Sequence, residues 1–177
     1  MKIKLLLFII FVSCFAGMTS RSFAQSEPLD GRNRIFSDEL LDNLVGNWKL
    51  TRKIRGQTVE NTVKAEWVLN HQFLRLEMKD ATTPPAFEAN IYIGYDNMSE
   101  RYVVHWIDVF GGRFSETLGY GTKPDKNSIK FVFEYPDAPF HNTFTWNSET
   151  KTWRFLMQTK DKSGKWVVFA EDNLRRR

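Results

Sequence analysis

The sequence predicts an all-β fold, a closed antiparallel up-and-down barrel of about ten strands with a short helix at one end. Three observations carry that reading. From residue 46 onward, runs of alternating apolar and polar residues recur at short, even intervals, each ended by a turn signal. No helix-length pattern lies between the runs, so parallel crossovers have nothing to build them, and neighbours in sequence pair antiparallel. Fifteen per cent of the chain is aromatic, enough to fill a barrel interior without disulfides. Ten strands with one wet face must stack as two sheets or close on themselves, and hairpin connectivity favours closure, which removes exposed edges. A β-sandwich is the main alternative.

The first 24 residues read as a secretory signal. Lys2 and Lys4 precede an apolar stretch from Leu5 to Val12, too short to span a bilayer, and Ser22-Phe23-Ala24 supplies small residues before a cut. A competing reading takes Phe11-Val12-Ser13-Cys14 as a lipoprotein box with a lipid anchor on Cys14. The protein is thus expected to be secreted or periplasmic, or else an outer-envelope lipoprotein. Loss of Lys2, Lys4 and Arg21 with the signal lowers the formal charge from +4 to +1. That balance gives no reason to expect nucleic acid or a membrane surface as partner. Cys14 is the only cysteine, so the mature chain has no disulfide or thiolate chemistry.

Residues 25–36 read as a flexible leader, and residues 37–177 as the domain. Ser37 offers an N-cap to a helix of about two turns, with Asp38 and Glu39 in its first turn. Leu40, Leu41, Leu44 and Val45 fall at helical spacing and would plug one barrel end. The first strand, 46–54, turns Trp48, Leu50, Arg52 and Ile54 to one face. Strands follow at 58–69 (Val59, Asn61, Val63, Ala65 and Trp67 inward), 73–79, 87–95 (Phe87, Ala89, Ile91, Ile93) and 101–109. The last of these is apolar on both faces, so either His105 or Asp108 could look inward. Next comes 113–120, read with Phe114, Glu116, Leu118 and Tyr120 inward. The series ends with 129–135, 140–146 (Asn142 inward), 152–159 and 166–172. The double-proline loop at 81–86 and the loop Pro136–Pro139 would form one rim.

Polar residues on an apolar face are the informative ones. Arg52, Asn61, Glu116 and Asn142 qualify, and Tyr120 adds a hydroxyl to the same face. Arg52 and Glu116 would neutralise each other through a bidentate contact. These five residues are the candidate ligand-binding set, a polar floor in an apolar cavity. The expected partner is a small apolar or amphipathic molecule with a polar or acidic group, and the expected state is a monomer. Two alternatives stand: an acid–base enzyme of isomerase or cyclase type using Glu116 with His105 or Asp108, and a non-catalytic envelope interaction protein with a filled barrel. No histidine pair sits at metal-ligand spacing, and neither a nucleophile elbow nor a phosphate-binding glycine loop is present. No cofactor or metal is expected.

Gly46-x-Trp48, after a short helix, is similar to the opening signature of lipocalin-like barrels. Gly94-Tyr95-Asp96, then Tyr102, then Trp106-Ile107-Asp108, resembles an uncharacterised bacterial barrel family, domain of unknown function 1579. So does the ending, where Trp166 and Phe169 precede the terminal arginines. The resemblance spans residues 40–177 and implies a calycin-type barrel in which Gly46 and Trp48 are structural. It attaches no activity. Related nitrobindin-like barrels hold haem through a histidine near the C-terminus, and Trp166 to Asp172 contains none.

Overall fold

The structure, a computed structural model, describes residues 35–112 and 115–177. The signal at 1–24, Cys14, all but the last two leader residues, and the inward placement of Phe114 lie outside the described residues. Among the described residues, ten strands form one closed barrel in which each strand pairs antiparallel with its neighbours in sequence, and the last pairs with the first. They are β1 (Gly46–Ile54), β2 (Gln57–Val68), β3 (Phe73–Asp80), β4 (Glu88–Asp96), β5 (Arg101–Asp108), β6 (Leu118–Asp125), β7 (Ser128–Phe133), β8 (Phe140–Asn147), β9 (Thr152–Lys160) and β10 (Trp166–Arg176). The closed-barrel expectation holds, and the sandwich does not form.

The helix α1 (Glu39–Asp42) is one turn rather than two, and its N-cap is Asp38, not Ser37. Asp38 Oδ1 accepts from the N–H groups of Leu40 and Leu41, both at 3.0 Å. An isolated turn this short is unstable, so packing must hold it. Leu40, Leu41 and Leu44 are buried in the barrel core. Three indole N–H groups fasten the turn from below: Trp48 donates to the Leu44 carbonyl at 2.7 Å, Trp67 to Asp42 Oδ1 at 2.8 Å and Trp153 to the Asn43 carbonyl at 3.3 Å. Phe36 also belongs to this closed end rather than to a leader. Its ring lies 5.6 Å from Trp67 and 5.8 Å from Tyr95.

Asp38 ties cap to wall. Its Oδ2 accepts from Lys123 Nζ at 2.8 Å and from the Tyr102 hydroxyl. Burial pushes its carboxyl up, but the bonds from Lys123, Tyr102 and the Leu41 N–H outweigh that and leave it below the ordinary carboxylate value. A depressed folded value gives stability that is present above the unfolded value, near 3.9, and lost as pH falls through the folded one. Asp38→Asn keeps a competent cap but removes the charge. It should lower stability by about 1–2 kcal/mol at pH 7, allowing for the partial exposure of Lys123. Urea titrations across pH should show that deficit vanish as the wild-type carboxyl protonates.

Alternation places the core as read on β1 to β4 and β7 to β9. Trp48, Leu50, Val63, Ala65, Leu74, Leu76, Ile91, Ile93, Phe144, Trp153 and Phe155 are buried inward. On β5 the inward residues are Tyr102, Val104, Trp106 and Asp108, while His105 is exposed on the outer face. β6 departs from expectation. It runs from Leu118 to Asp125 instead of 113–120, and its buried positions are Gly119 and Gly121. A Cβ on Gly121 would lie 2.6 Å from the Phe131 ring, and one on Gly119 would lie 3.0 Å from Phe133 and Val104. Rings from β7 fill the space that side chains on β6 would need. The inward face of this strand therefore carries no hydropathy signal, and Leu118 and Tyr120 face outward.

Candidate ligand-binding site

The barrel is packed at one end and hollow at the other. Around α1, tryptophan and leucine side chains fill the interior. Beyond Leu50 the filling stops, and a cavity of about 870 Å³ opens toward the opposite end. Its mouth is framed by the connections β1–β2, β3–β4, β5–β6 and β7–β8, through Arg55, Phe87, Phe110, Glu116 and Asp137. The two proline-containing loops do share this rim. A dry void of that size would cost about 20 kcal/mol at 24 cal/mol per Å³, beyond the stability of an ordinary domain. The space must hold water or a guest.

The floor of the cavity is polar over one arc of the barrel. Arg52 on β1 and Asp172 on β10 are direct cross-strand partners. Arg52 Nε donates to Asp172 Oδ1 and Nη2 to Oδ2, both at 2.7 Å. Asp172 is 0% exposed and Arg52 9%. Burial pushes the Asp172 carboxyl up, and the bidentate guanidinium pulls it back without cancelling the rise. Nη2 also reaches Met78 Sδ at 3.6 Å, and the guanidinium carbon lies 5.1 Å from the Phe87 ring centre. Among the described residues, nothing accepts a bond from Nη1.

Asn61 on β2 and Asn142 on β8 flank this pair around the wall, at 3% and 2% exposure. Both line the cavity, and the side-chain oxygen of each is buried without a hydrogen-bond partner. Those oxygens touch no accessible space, so they lie behind the floor rather than facing the hollow. The opposite wall is rings: Trp106, Phe133, Tyr135 and Phe140 line it, and Phe169 closes the side near the mouth. Asp108 lies on the Trp106 side, accepting the Trp106 indole N–H at 3.1 Å and the Phe110 N–H at 2.9 Å.

Three of the five candidate ligand-binding residues, Arg52, Asn61 and Asn142, therefore come together around one cavity. The other two do not join them at the floor. Glu116 sits exposed on the β5–β6 connection at the mouth, so it is not the partner of Arg52. That correction follows from the late start of β6, which leaves Glu116 outside the sheet. Tyr120 lies on the outer wall, with the Arg101 guanidinium 3.5 Å above its ring. His105 faces outward, so a Glu116–His105 acid–base pair is not formed. Gly46 and Trp48 stand at the closed end. Gly46 has φ +129, and a Cβ there would collide with Arg176 Nη1. Arg176 in turn lies 4.1 Å over the Trp48 ring.

Asp172 is the site residue that reading the sequence missed. Ala170, Asp172 and Leu174 alternate inward, but a β-bulge between Val168 and Ala170 shifts the phase of β10. The strand also runs on to Arg176, four residues past its expected end. Among the described residues, no group of three histidine, cysteine, aspartate or glutamate side chains is placed to hold a metal ion. No helix among them is long and apolar enough to cross a membrane.

The model of a family described as protein of unknown function (DUF1579) matches residues 37–176. The chain belongs to that family. The match begins just before the Asp38 cap and ends at Arg176 of β10, so it takes in every strand of the DUF1579 barrel. No curated protein matches the chain.

Proposed function

We propose that this DUF1579 barrel is a secreted or periplasmic carrier that binds one small, mostly apolar molecule through a polar group at the cavity floor. One observation carries the proposal: a ring-lined hollow of about 870 Å³ ends on a polar floor of Arg52, Asn61 and Asn142. The volume falls within the range of small-molecule sites, about 300–1,000 Å³. The hollow weighs against the filled-barrel alternative. For the acid–base alternative, Glu116 and Asp108 both line the cavity, but neither has a histidine beside it there.

The driving force is desolvation of the guest. Each methylene taken from water contributes about 0.8 kcal/mol, so a ten-carbon tail supplies about 8 kcal/mol before lost freedom is subtracted. Dissociation constants of about 1–100 µM are expected for simple amphiphiles. The uncharged fluorescent probe N-phenyl-1-naphthylamine should bind the protein 1:1 with saturable enhancement in that range. Protein purified from its natural host should carry a small molecule visible by native mass spectrometry. Unsaturable fluorescence and a clean ligand-free mass together would overturn the proposal.

A further inference from the structure

We infer that one lip of the barrel mouth, formed by the β9–β10 and β1–β2 connections, docks on a bilayer surface that carries anionic head groups. Such docking goes beyond the ligand binding proposed above and does not depend on it. Uncovered apolar surface is concentrated at this end of the barrel. Among the described residues, ten large apolar side chains are exposed, and seven of them stand at the mouth end. Val109 and Phe110 crown the β5–β6 connection with Ile107 and Leu118 just below, and Val167, Val168 and Phe169 follow the β9–β10 turn. Single exposed hydrophobics are ordinary on a protein surface, but their gathering at one end marks a contact. Val168 pairs with Gln158, one position past the inward Met157, and is 58% exposed, so it projects from the outer wall beside the rim. Phe169, at the β10 bulge, lines the cavity mouth with Arg55 and Lys160. The lip and the cavity entrance are thus one surface.

The charges around the rim are segregated by sign. Lys53, Arg55, Lys160, Lys162 and Lys165 are exposed on this lip, and none of them forms an ion pair among the described residues. The Asp161 carboxylate is turned into its own hairpin, accepting from the Ser163 and Lys165 N–H groups at 2.8 and 3.0 Å and from the Ser163 hydroxyl at 2.6 Å. Glu171, lower on β10, is held by Arg154 at 3.0 Å. β1 and β10 are neighbours, so the two basic connections are adjacent. The next connections round the mouth, β7–β8 and β5–β6, instead carry Glu134, Asp137, Asp108 and Glu116. The near-neutral charge of the mature chain averages over these two sides and conceals the division. Trp166 adds a side chain suited to the head-group layer: its ring stacks on His141 at 3.8 Å, with Lys160 Nζ 5.4 Å from its centre. Tryptophan beside lysine suits a membrane–water boundary, with the ring at head-group depth and the ammonium reaching phosphate. A second copy of the chain is the rival occupant, since its acidic side could meet the basic lip. Packing against a rigid copy requires matched shape. The mouth is a ring of separate turn tips around a hollow, which a fluid lipid surface can follow.

The test sediments the mature protein with sucrose-loaded vesicles of phosphatidylcholine, alone or with about one third phosphatidylglycerol, at low salt. Each cation near an anionic surface strengthens partition by about fivefold, so binding to the phosphatidylglycerol vesicles should be at least about 10-fold tighter. Near 1 M salt, where screening shortens to about 3 Å, that preference should vanish. Lys162→Glu/Lys165→Glu should abolish it, while the same reversal at the closed end, Lys126→Glu/Lys151→Glu, should leave it within about twofold. Val168→Ser changes no charge, yet should weaken binding at least about fivefold, because the side chain leaves water on docking. Equal binding to both kinds of vesicle, or binding to neither, overturns the inference. So does an equal loss from the two charge reversals, which would mean that only total charge is read, and so does unchanged binding by folded Val168→Ser. If one lip variant does not fold, the other decides. Sedimentation equilibrium without lipid tests the rival: a dimer that Lys162→Glu/Lys165→Glu dissociates, with no vesicle binding, gives the lip to a second copy and overturns the inference. N-phenyl-1-naphthylamine reports on the cavity and vesicles report on the lip, so either proposal can fail while the other stands.

Discussion

Arg52→Met is expected to lower the folding free energy by about 3–5 kcal/mol, because it strands a buried carboxylate. Asp172 is 0% exposed, and its two strong bonds both come from Arg52. Remove the guanidinium, and burial alone acts on the carboxyl and drives it further up than in the wild type. The sign of the pH dependence follows. A group whose folded value is raised is least costly below its unfolded value, near 3.9, and its penalty grows as pH rises through the folded one. The deficit of Arg52→Met relative to wild type should therefore be largest at neutral pH and shrink toward acid, the reverse of Asp38→Asn only in its cause. In both variants the deficit fades at low pH, but here it is the variant that recovers, whereas with Asp38 it is the wild type that loses. Urea midpoints measured for all three proteins between pH 3 and 8 separate the two.

The double variant Arg52→Met/Asp172→Leu sharpens the point. Replacing a buried ion pair with hydrocarbon of similar volume is often neutral or stabilising by about 1–4 kcal/mol. The double variant should melt at or above the wild-type temperature. If it is instead as unstable as the single variant, the pair is a structural necessity of the β1–β10 seam, and the case for a head-group floor weakens.

How much of this was legible in the sequence depended on whether a strand had one wet face. On β1, β2, β3 and β8 it does. Arg52, Asn61 and Asn142 could be named as buried polar residues, because their neighbours two positions away are apolar. On β5 both faces are apolar: Ile107 stays 49% exposed on the outer face, and hydropathy alone could not assign Asp108. On β6 the signal was inverted, since the inward positions are glycines under the Phe131 and Phe133 rings. The run Glu116, Leu118, Tyr120 imitated an inner face, whereas Leu118 and Tyr120 face outward and Glu116 lies outside the strand. The partner of Arg52 was hidden for a different reason. Asp172 lies 120 residues away along the chain, across a seam made only by closure of the barrel. A bulge in β10 scrambles the local alternation that would have pointed to it. Local pattern revealed which residue was in need of a partner, but only the three-dimensional closure supplies that partner.

Trp48→Ala is the second large effect, again about 3–5 kcal/mol. For a domain of this size that corresponds to a fall in melting temperature of roughly 10–20 °C. The indole is 0% exposed and stands edge-on to Trp146 at 6.4 Å, with Arg176 stacked on its other side. Truncation loses the ring's packing, orphans the Leu44 carbonyl at the foot of α1, and leaves Arg176 without its platform. The useful question is whether the damage reaches the cavity. Trp48, Leu50 and Arg52 are successive inward positions on one strand, about 7 Å apart, so Leu50 separates the plug from the floor. Arg52 is held sideways by Asp172 on β10 and Met78 on β3, and neither contact involves the closed end. Well below its melting temperature, Trp48→Ala should therefore bind N-phenyl-1-naphthylamine with a dissociation constant within about twofold of wild type. Isothermal titration at 10 °C beside a thermal melt measures both. A parallel loss of affinity would mean that the floor is positioned from below by the packed end, and that the two halves of the barrel are a single cooperative unit.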